Sequence, residues 1–205
     1  AKLINEAEES AAIGVEFGQA KLDIEKIRSW KNGVIDTLTA GLGSKVDKMK
    51  LVYLRGMAIF NSANLLVVLL EDGTTGEMKF EQAILATGSR PMMLPGISTG
   101  QRIFDSTGAL ELSDIPKSLL VVGGGYIGLE LGSAYAAFGS QVSVVEMTSG
   151  LLPGCDRDLV SVLKRRLDKA FKDILLNTRV VELKEQKNGV AVSFEDKNSE
   201  RSSKR

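Results

Sequence analysis

Residues 119–128 set a strand, a glycine turn and a helix start in direct succession. Leu119, Leu120, Val121 and Val122 form an apolar run, and Gly123-Gly124-Gly125-Tyr126-Ile127-Gly128 follows without a spacer. A short apolar run bounded by turn residues reads as a buried strand, and the stretch 126–138 behind it as a helix. Turning from strand to helix in so few residues needs backbone angles and close approaches that only glycine tolerates. In the spacing G-x-G-x-x-G, Gly123 permits the tight turn, Gly125 leaves room for another group to approach the backbone, and Gly128 lets helix and strand pack closely. The pattern is that of a βα unit in a parallel α/β sheet, and the next strand is expected at 141–146.

Such a turn points to a ligand as well as to a fold. The first N–H groups of a helix have no carbonyl partner within it and carry a partial positive charge, which suits phosphate. Glu146 closes the next strand 18 positions after Gly128, near where a carboxylate that accepts ribose hydroxyls belongs. The two features read together as a dinucleotide site. A carboxylate there repels a 2′-phosphate, which favours NAD over NADP. FAD is the other dinucleotide that the pattern admits, and a glycine turn without a ligand is the alternative.

The rest of the chain divides by pattern. Residues 1–12 read as a short helix ended by Ile13-Gly14. Residues 23–42 read as one long amphipathic helix, with Asp23 as N-cap, Glu25 in the first turn, and Gly41 and Gly43 as the stop. Strand-like runs at 51–54, 57–60, 65–70 and 78–80 form an antiparallel meander that runs into a buried strand at 83–86, halted by Thr87-Gly88. Pro91, Pro95, Gly96 and Gly100 mark an extended connector. Beyond it, Leu159, Val162, Leu163 and Leu167 place a helix within 156–172, and Asn188-Gly189 signals a hairpin joining 180–185 to 190–194.

Composition removes several classes of function. Lys plus Arg equals Asp plus Glu at 26 each, so neither nucleic acid nor an anionic membrane is the expected partner. There is no histidine, the commonest general base and zinc ligand, and neither a catalytic residue nor a metal site is assigned. A single cysteine, Cys155, excludes an internal disulfide and fits a reducing, cytoplasmic setting. The longest apolar run, 65–70, is strand-sized and no signal peptide is read. Opening on Ala1 rather than Met, the chain is expected to begin partway through a gene product.

Three stretches resemble the pyridine nucleotide–disulfide oxidoreductases. Gly-Gly-Gly-Tyr-Ile-Gly-Leu-Glu-Leu-Gly (123–132) with Phe-Gly-Ser-Gln-Val-Ser-Val-Val-Glu (138–146) resembles their NAD site, and Ala-Thr-Gly-Ser-Arg-Pro (86–91) their second flavin-contact motif. Asp-Ser-Thr-Gly-Ala-Leu-Glu-Leu (105–112) is similar to the segment that links the two. Within the family the resemblance is to the dihydrolipoamide dehydrogenases of proteobacterial type. It implies an α/β fold: a Rossmann-like NAD-binding domain with a three-layer parallel sheet at 113–205, preceded at 1–112 by part of an FAD-binding domain of helices and an antiparallel β-meander, with the connector.

The resemblance also implies an FAD- and NAD-dependent oxidoreductase that reoxidises dihydrolipoamide in 2-oxoacid dehydrogenase complexes. Its partners are then lipoamide-bearing acyltransferase subunits, and the full-length protein is a homodimer. Gly123, Gly124, Gly125, Tyr126 and Ile127 would hold the NAD pyrophosphate, Glu146 the adenosine ribose, and Val180 the adenine through its backbone. Glu130 would lie near the nicotinamide, while Ala58 and the Thr87-Gly88 turn touch FAD. Tyr126 stands where many dihydrolipoamide dehydrogenases carry an aliphatic residue, and where glutathione reductases carry an aromatic one. The family's first G-x-G-x-x-G and its Cys-x-x-x-x-Cys pair are expected ahead of Ala1, and its catalytic His in a further C-terminal domain. The 205 residues therefore read as an internal portion, with an incomplete FAD site and no activity alone. A glutathione- or mercury-reductase-like enzyme and a stand-alone nucleotide-binding module are the alternatives.

Overall fold

The computed structural model describes residues 1–196. They fall into two compact units, one of Ala1–Arg28 with the described residues from Pro91 onward and the other of Ser29–Arg90. The chain opens with helix α1 (Lys2–Glu9), continued by a 3-10 turn at Ser10–Ile13 and closed by Gly14 at φ 85°. Helix α2 (Ile24–Lys48) starts as the sequence suggests: Asp23 Oδ1 accepts from the Lys26 N–H at 3.0 Å, which satisfies one of the free donors of the first turn. It does not stop near Leu42. Glycine inside a helix costs about 1 kcal/mol relative to alanine but ends it only by turning left-handed, and neither Gly41 nor Gly43 has a positive φ.

The Ser29–Arg90 unit holds the meander β1 (Gly56–Ser62), β2 (Leu65–Leu70) and β3 (Thr75–Lys79), antiparallel in that order. Its second turn is set by Asp72, whose Oδ1 accepts from the Thr74 N–H at 2.9 Å and the Thr74 hydroxyl at 2.6 Å. Two expected strands are absent. Residues 51–54 and 83–86 are irregular, and Ile84 is 95% exposed. A buried strand exists only as part of a sheet, and among the described residues no strand pairs with either stretch. The strands expected at 51–54 and 83–86 do not form: an apolar composition does not by itself supply a neighbouring strand.

In the other unit, α3 (Ser106–Glu111) is capped by Asp105, whose Oδ1 accepts from the Gly108 N–H at 2.9 Å. Then come β4 (Ser118–Val122), α4 (Tyr126–Ala137), β5 (Gln141–Val145), α5 (Arg157–Ala170) and β6 (Asp173–Leu175). The three strands form a parallel sheet in the order β4-β5-β6. Neither α3 nor β6 was foreseen as an element; six and three residues are too few to show a period. Val142 and Val144 of β5, Leu129 and Tyr135 of α4, and Leu167 and Phe171 at the end of α5 make the core. The buried Tyr135 hydroxyl donates to Ala109 O at 2.8 Å and ties α4 to α3. Its pKa is pushed up by burial and then by the charge of Asp114, so it remains a donor.

The hairpin β7 (Thr178–Gln186) and β8 (Gly189–Asp196) closes the described chain. Gly189 pairs with Gln186, so the turn residues are Lys187 and Asn188, one position earlier than Asn188-Gly189. Gly189 does not adopt the positive φ for which an Asn-Gly turn selects glycine.

Candidate functional site

The turn between β4 and α4 is held so that one side is packed and the other open. Gly123, at φ 108°, donates its N–H to Val145 O at 2.8 Å, which carries the β4–β5 pairing into the turn. Gly128 sits so close beneath it that a Cβ there would lie 2.7 Å from Gly123 O and 2.9 Å from Val121 Cγ1. Gly125 is the opposite case. It is the N-cap of α4, no side chain caps the helix, and a Cβ on it would meet nothing within 4 Å. The first-turn N–H groups of α4 thus begin beside open space, where Tyr126 is 68% and Ile127 46% exposed.

Gly124 joins this loop to the acid. Its N–H donates to Glu146 Oε2 at 2.7 Å, and its carbonyl accepts from the Leu152 N–H at 2.9 Å. Glu146 is buried at the end of β5, and its Oε1 accepts from the Thr148 N–H at 2.7 Å. Burial pushes its pKa up, but hydrogen bonds from Gly124, Thr148 and Met147 outweigh that and hold it below the usual 4.5. The side chain is therefore an ionised, fixed acceptor. A carboxylate has about four acceptor positions, and the two backbone donors leave others for hydroxyl groups. An uncapped helix start, an open approach at Gly125 and a fixed carboxylate beside them suit a pyrophosphate joined to a ribose.

A family model described as pyridine nucleotide-disulphide oxidoreductase matches residues 3–203 of the chain. The chain belongs to this family. Among curated members, it is 39% identical over 198 residues to the dihydrolipoyl dehydrogenase of Haemophilus influenzae and 42% identical over 197 residues to that of Vibrio parahaemolyticus. Each alignment covers 96% of this chain and 41% of the relative, so the chain spans about two fifths of the length of the curated relatives it matches. The crystal structure of LpdA from Mycobacterium tuberculosis has the same fold, with a TM-score of 0.82 over 99% of this chain and 44% of that one, at 24% identity. The HOCl-induced flavoprotein disulfide reductase RclA from Escherichia coli matches with a TM-score of 0.77 and 28% identity, over 98% of this chain and 43% of that one.

The site residues expected from this family fall into two groups. The structure brings together residues 123–128 and Glu146. Val180 stands on β7, buried and paired with Phe194, two residues after Thr178, whose N–H reaches Glu146 O at 3.0 Å. Glu130 is exposed on α4, one helical turn beyond Tyr126. Ala58, opposite Val68 on β1, and the exposed Thr87-Gly88 belong to the Ser29–Arg90 unit. Sequence reasoning missed Thr148, Leu151 and Leu152, which complete the glycine loop from behind. Their only signal is an apolar pair shortly after the strand-ending acid.

Proposed function

We propose that this chain supplies the NAD site, and part of the FAD site, of an oxidoreductase that reoxidises dihydrolipoamide in 2-oxoacid dehydrogenase complexes. One observation carries the reading of the site: the buried Glu146 carboxylate is fixed by Gly124 and Thr148 beside the open start of α4. The similarity to dihydrolipoyl dehydrogenases at 39% and 42% identity supports the substrate. In this reading the chain divides into an FAD-binding portion with the connector at 1–112 and an NAD-binding portion at 113–205. Gly123, Gly124, Gly125, Tyr126 and Ile127 receive the pyrophosphate, with Gly128 allowing the close packing beneath. Glu146 receives the ribose, Val180 the adenine through its backbone, and Glu130 lies toward the nicotinamide. Ala58, Thr87 and Gly88 contribute to FAD. When bound, the two cofactors would supply the electron transfer, in which a dithiol becomes a disulfide, NAD gains a hydride and one proton is released. The residues of this chain bind, orient and select. Lipoamide-bearing acyltransferase subunits as partners, a homodimer and a cytoplasmic location belong to the same reading.

Glu146→Arg in the full-length protein tests it. Arginine offers a donor fork to a 2′-phosphate and no acceptor to ribose hydroxyls. It also leaves the Gly124 and Thr148 N–H groups without their acceptor, so both affinities fall and the ratio is the readout. Calorimetric titration is expected to move the NAD to NADP affinity ratio at least about tenfold toward NADP, or ~1.4 kcal/mol. An unmoved ratio means that Glu146 does not face the ribose. The likeness to RclA supports a second reading, reduction of another disulfide. Assaying the full-length protein with dihydrolipoamide and with other dithiols decides between them.

A further inference from the structure

We propose that Arg157 is a positioning residue for the nucleotide site, acting through the 147–156 loop on the peptide of Gly124. The proposal rests on reading the glycine loop as that site. Arg157 is the first residue of α5, where a cation opposes the helix dipole, so the helix itself gains nothing from it. Its guanidinium is spent on the preceding loop. Nη1 donates to Leu151 O at 2.9 Å, Nη2 to Cys155 O at 2.7 Å and to Leu152 O, and Nε to Cys155 O at 3.0 Å. Three carbonyls thus converge on one planar fork, a geometry that a lysine ammonium does not reproduce.

Two further features show that the loop is shaped around this group. Leu152 has a φ of 49°, a left-handed conformation that a non-glycine residue holds only where its surroundings impose it. A Cβ on Gly150 would lie 2.8 Å from Arg157 Nη1, so the fork occupies space that only glycine leaves free. The far side of the same loop meets the site. Leu152 donates its N–H to Gly124 O at 2.9 Å, and Leu151, 1% exposed, puts Cδ2 2.7 Å from where a Cβ of Gly124 would be. With Glu146 on the Gly124 N–H, the residue is gripped through both of the peptides that flank it. Arg157 fixes one of the grips without lining the turn.

The test uses Arg157→Ala, Arg157→Lys and Gly150→Ala in the full-length protein. Gly150→Ala displaces the fork while leaving Arg157 in the chain, and serves if Arg157→Ala does not fold. Hydrogen–deuterium exchange is read without nucleotide on peptides covering 121–130, and NAD affinity by calorimetry. Faster exchange at 121–130 is expected in every variant, with peptides of β1, β2 and β3 unchanged. If the competent loop falls to about a fifth of the population, the NAD Kd rises about fivefold. Unchanged exchange at 121–130 overturns the proposal, as does faster exchange with unaltered affinity. So does full retention of affinity by Arg157→Lys, which would assign the effect to charge alone. A wild-type protein that binds no NAD refutes the nucleotide reading instead, and is seen before any variant is made.

Discussion

Glu146→Gln keeps the volume of a buried side chain and removes its charge, so its effect follows from the hydrogen bonds alone. The wild-type carboxylate accepts from Gly124 and Thr148, both at 2.7 Å, and the residue is 7% exposed. Hydrogen bonds to a charged group contribute about 1.5–3 kcal/mol, against about 1 kcal/mol for a neutral pair. Glutamine offers one oxygen, so one of the two bonds survives, weakened by roughly 1 kcal/mol. At the other position its NH2 faces an N–H, and leaving that buried donor unpaired costs about 1–3 kcal/mol. The sum is about 2–4 kcal/mol, or a fall in Tm of about 4–16 °C for a chain of this size. Thermal and urea unfolding followed by circular dichroism at pH ~7, where the carboxylate is charged, measures it.

The pH dependence supplies a second arm. Hydrogen bonding holds the folded pKa of Glu146 below the reference of 4.5. The carboxylate therefore stabilises the fold fully above that reference, and the contribution is lost as pH falls through the depressed folded value. The gap between wild type and Glu146→Gln is expected to be full at neutral pH and to narrow only below 4.5. A gap under about 0.5 kcal/mol at neutral pH, the range of an ordinary surface substitution, refutes the reasoning. A gap that does not narrow in acid also refutes it.

Two glycines of one turn are expected to respond in opposite ways. Gly125→Ala places its methyl in open space at an ordinary φ of −78°, so unfolding is unchanged within about 0.5 kcal/mol; on the nucleotide reading proposed above, the methyl would obstruct the phosphate and NAD titration is expected to weaken about tenfold or more. Gly128→Ala drives a Cβ against Gly123 O at 2.7 Å and loses about 1–3 kcal/mol in urea unfolding. Tyr135→Phe removes the donor to Ala109 O and is expected to cost about 1–2 kcal/mol by the same measurement, with NAD affinity unaltered.

The parts of this fold that were legible in the sequence are those whose cause is local. The turn at 123–128 is written in glycines whose separate reasons, a positive φ at Gly123 and backbone crowding at Gly128, are both met in the structure. The start of α2 is written in Asp23, which caps it. The parts that were not legible depend on distant partners. Ile84 and Leu85 have the composition of a buried strand, yet lie exposed with no strand beside them among the described residues. Leu151 and Leu152 look like any apolar pair, and only the folded loop brings them against Gly124. The position of Glu146 was readable from strand and spacing, but its two backbone donors were not, because neither Gly124 nor Thr148 carries a side-chain signal for that bond.

The double attachment of Glu146 also constrains how a protein of this kind changes over generations. A residue that touches only its ligand can be exchanged one codon at a time, each step being judged by the ligand alone. In the reading proposed above, the acid at the end of β5 serves a nucleotide and is also the acceptor for Gly124 and Thr148. A lineage drifting toward a different nucleotide loses fold stability at the same step, before any new preference is established. Its accessible routes pass through an earlier stabilising change elsewhere, or through a replacement at Thr148 or Leu152 that supports the glycine turn by other means. Descendants that keep the acid are then held to it by their own backbone as much as by the molecule they bind.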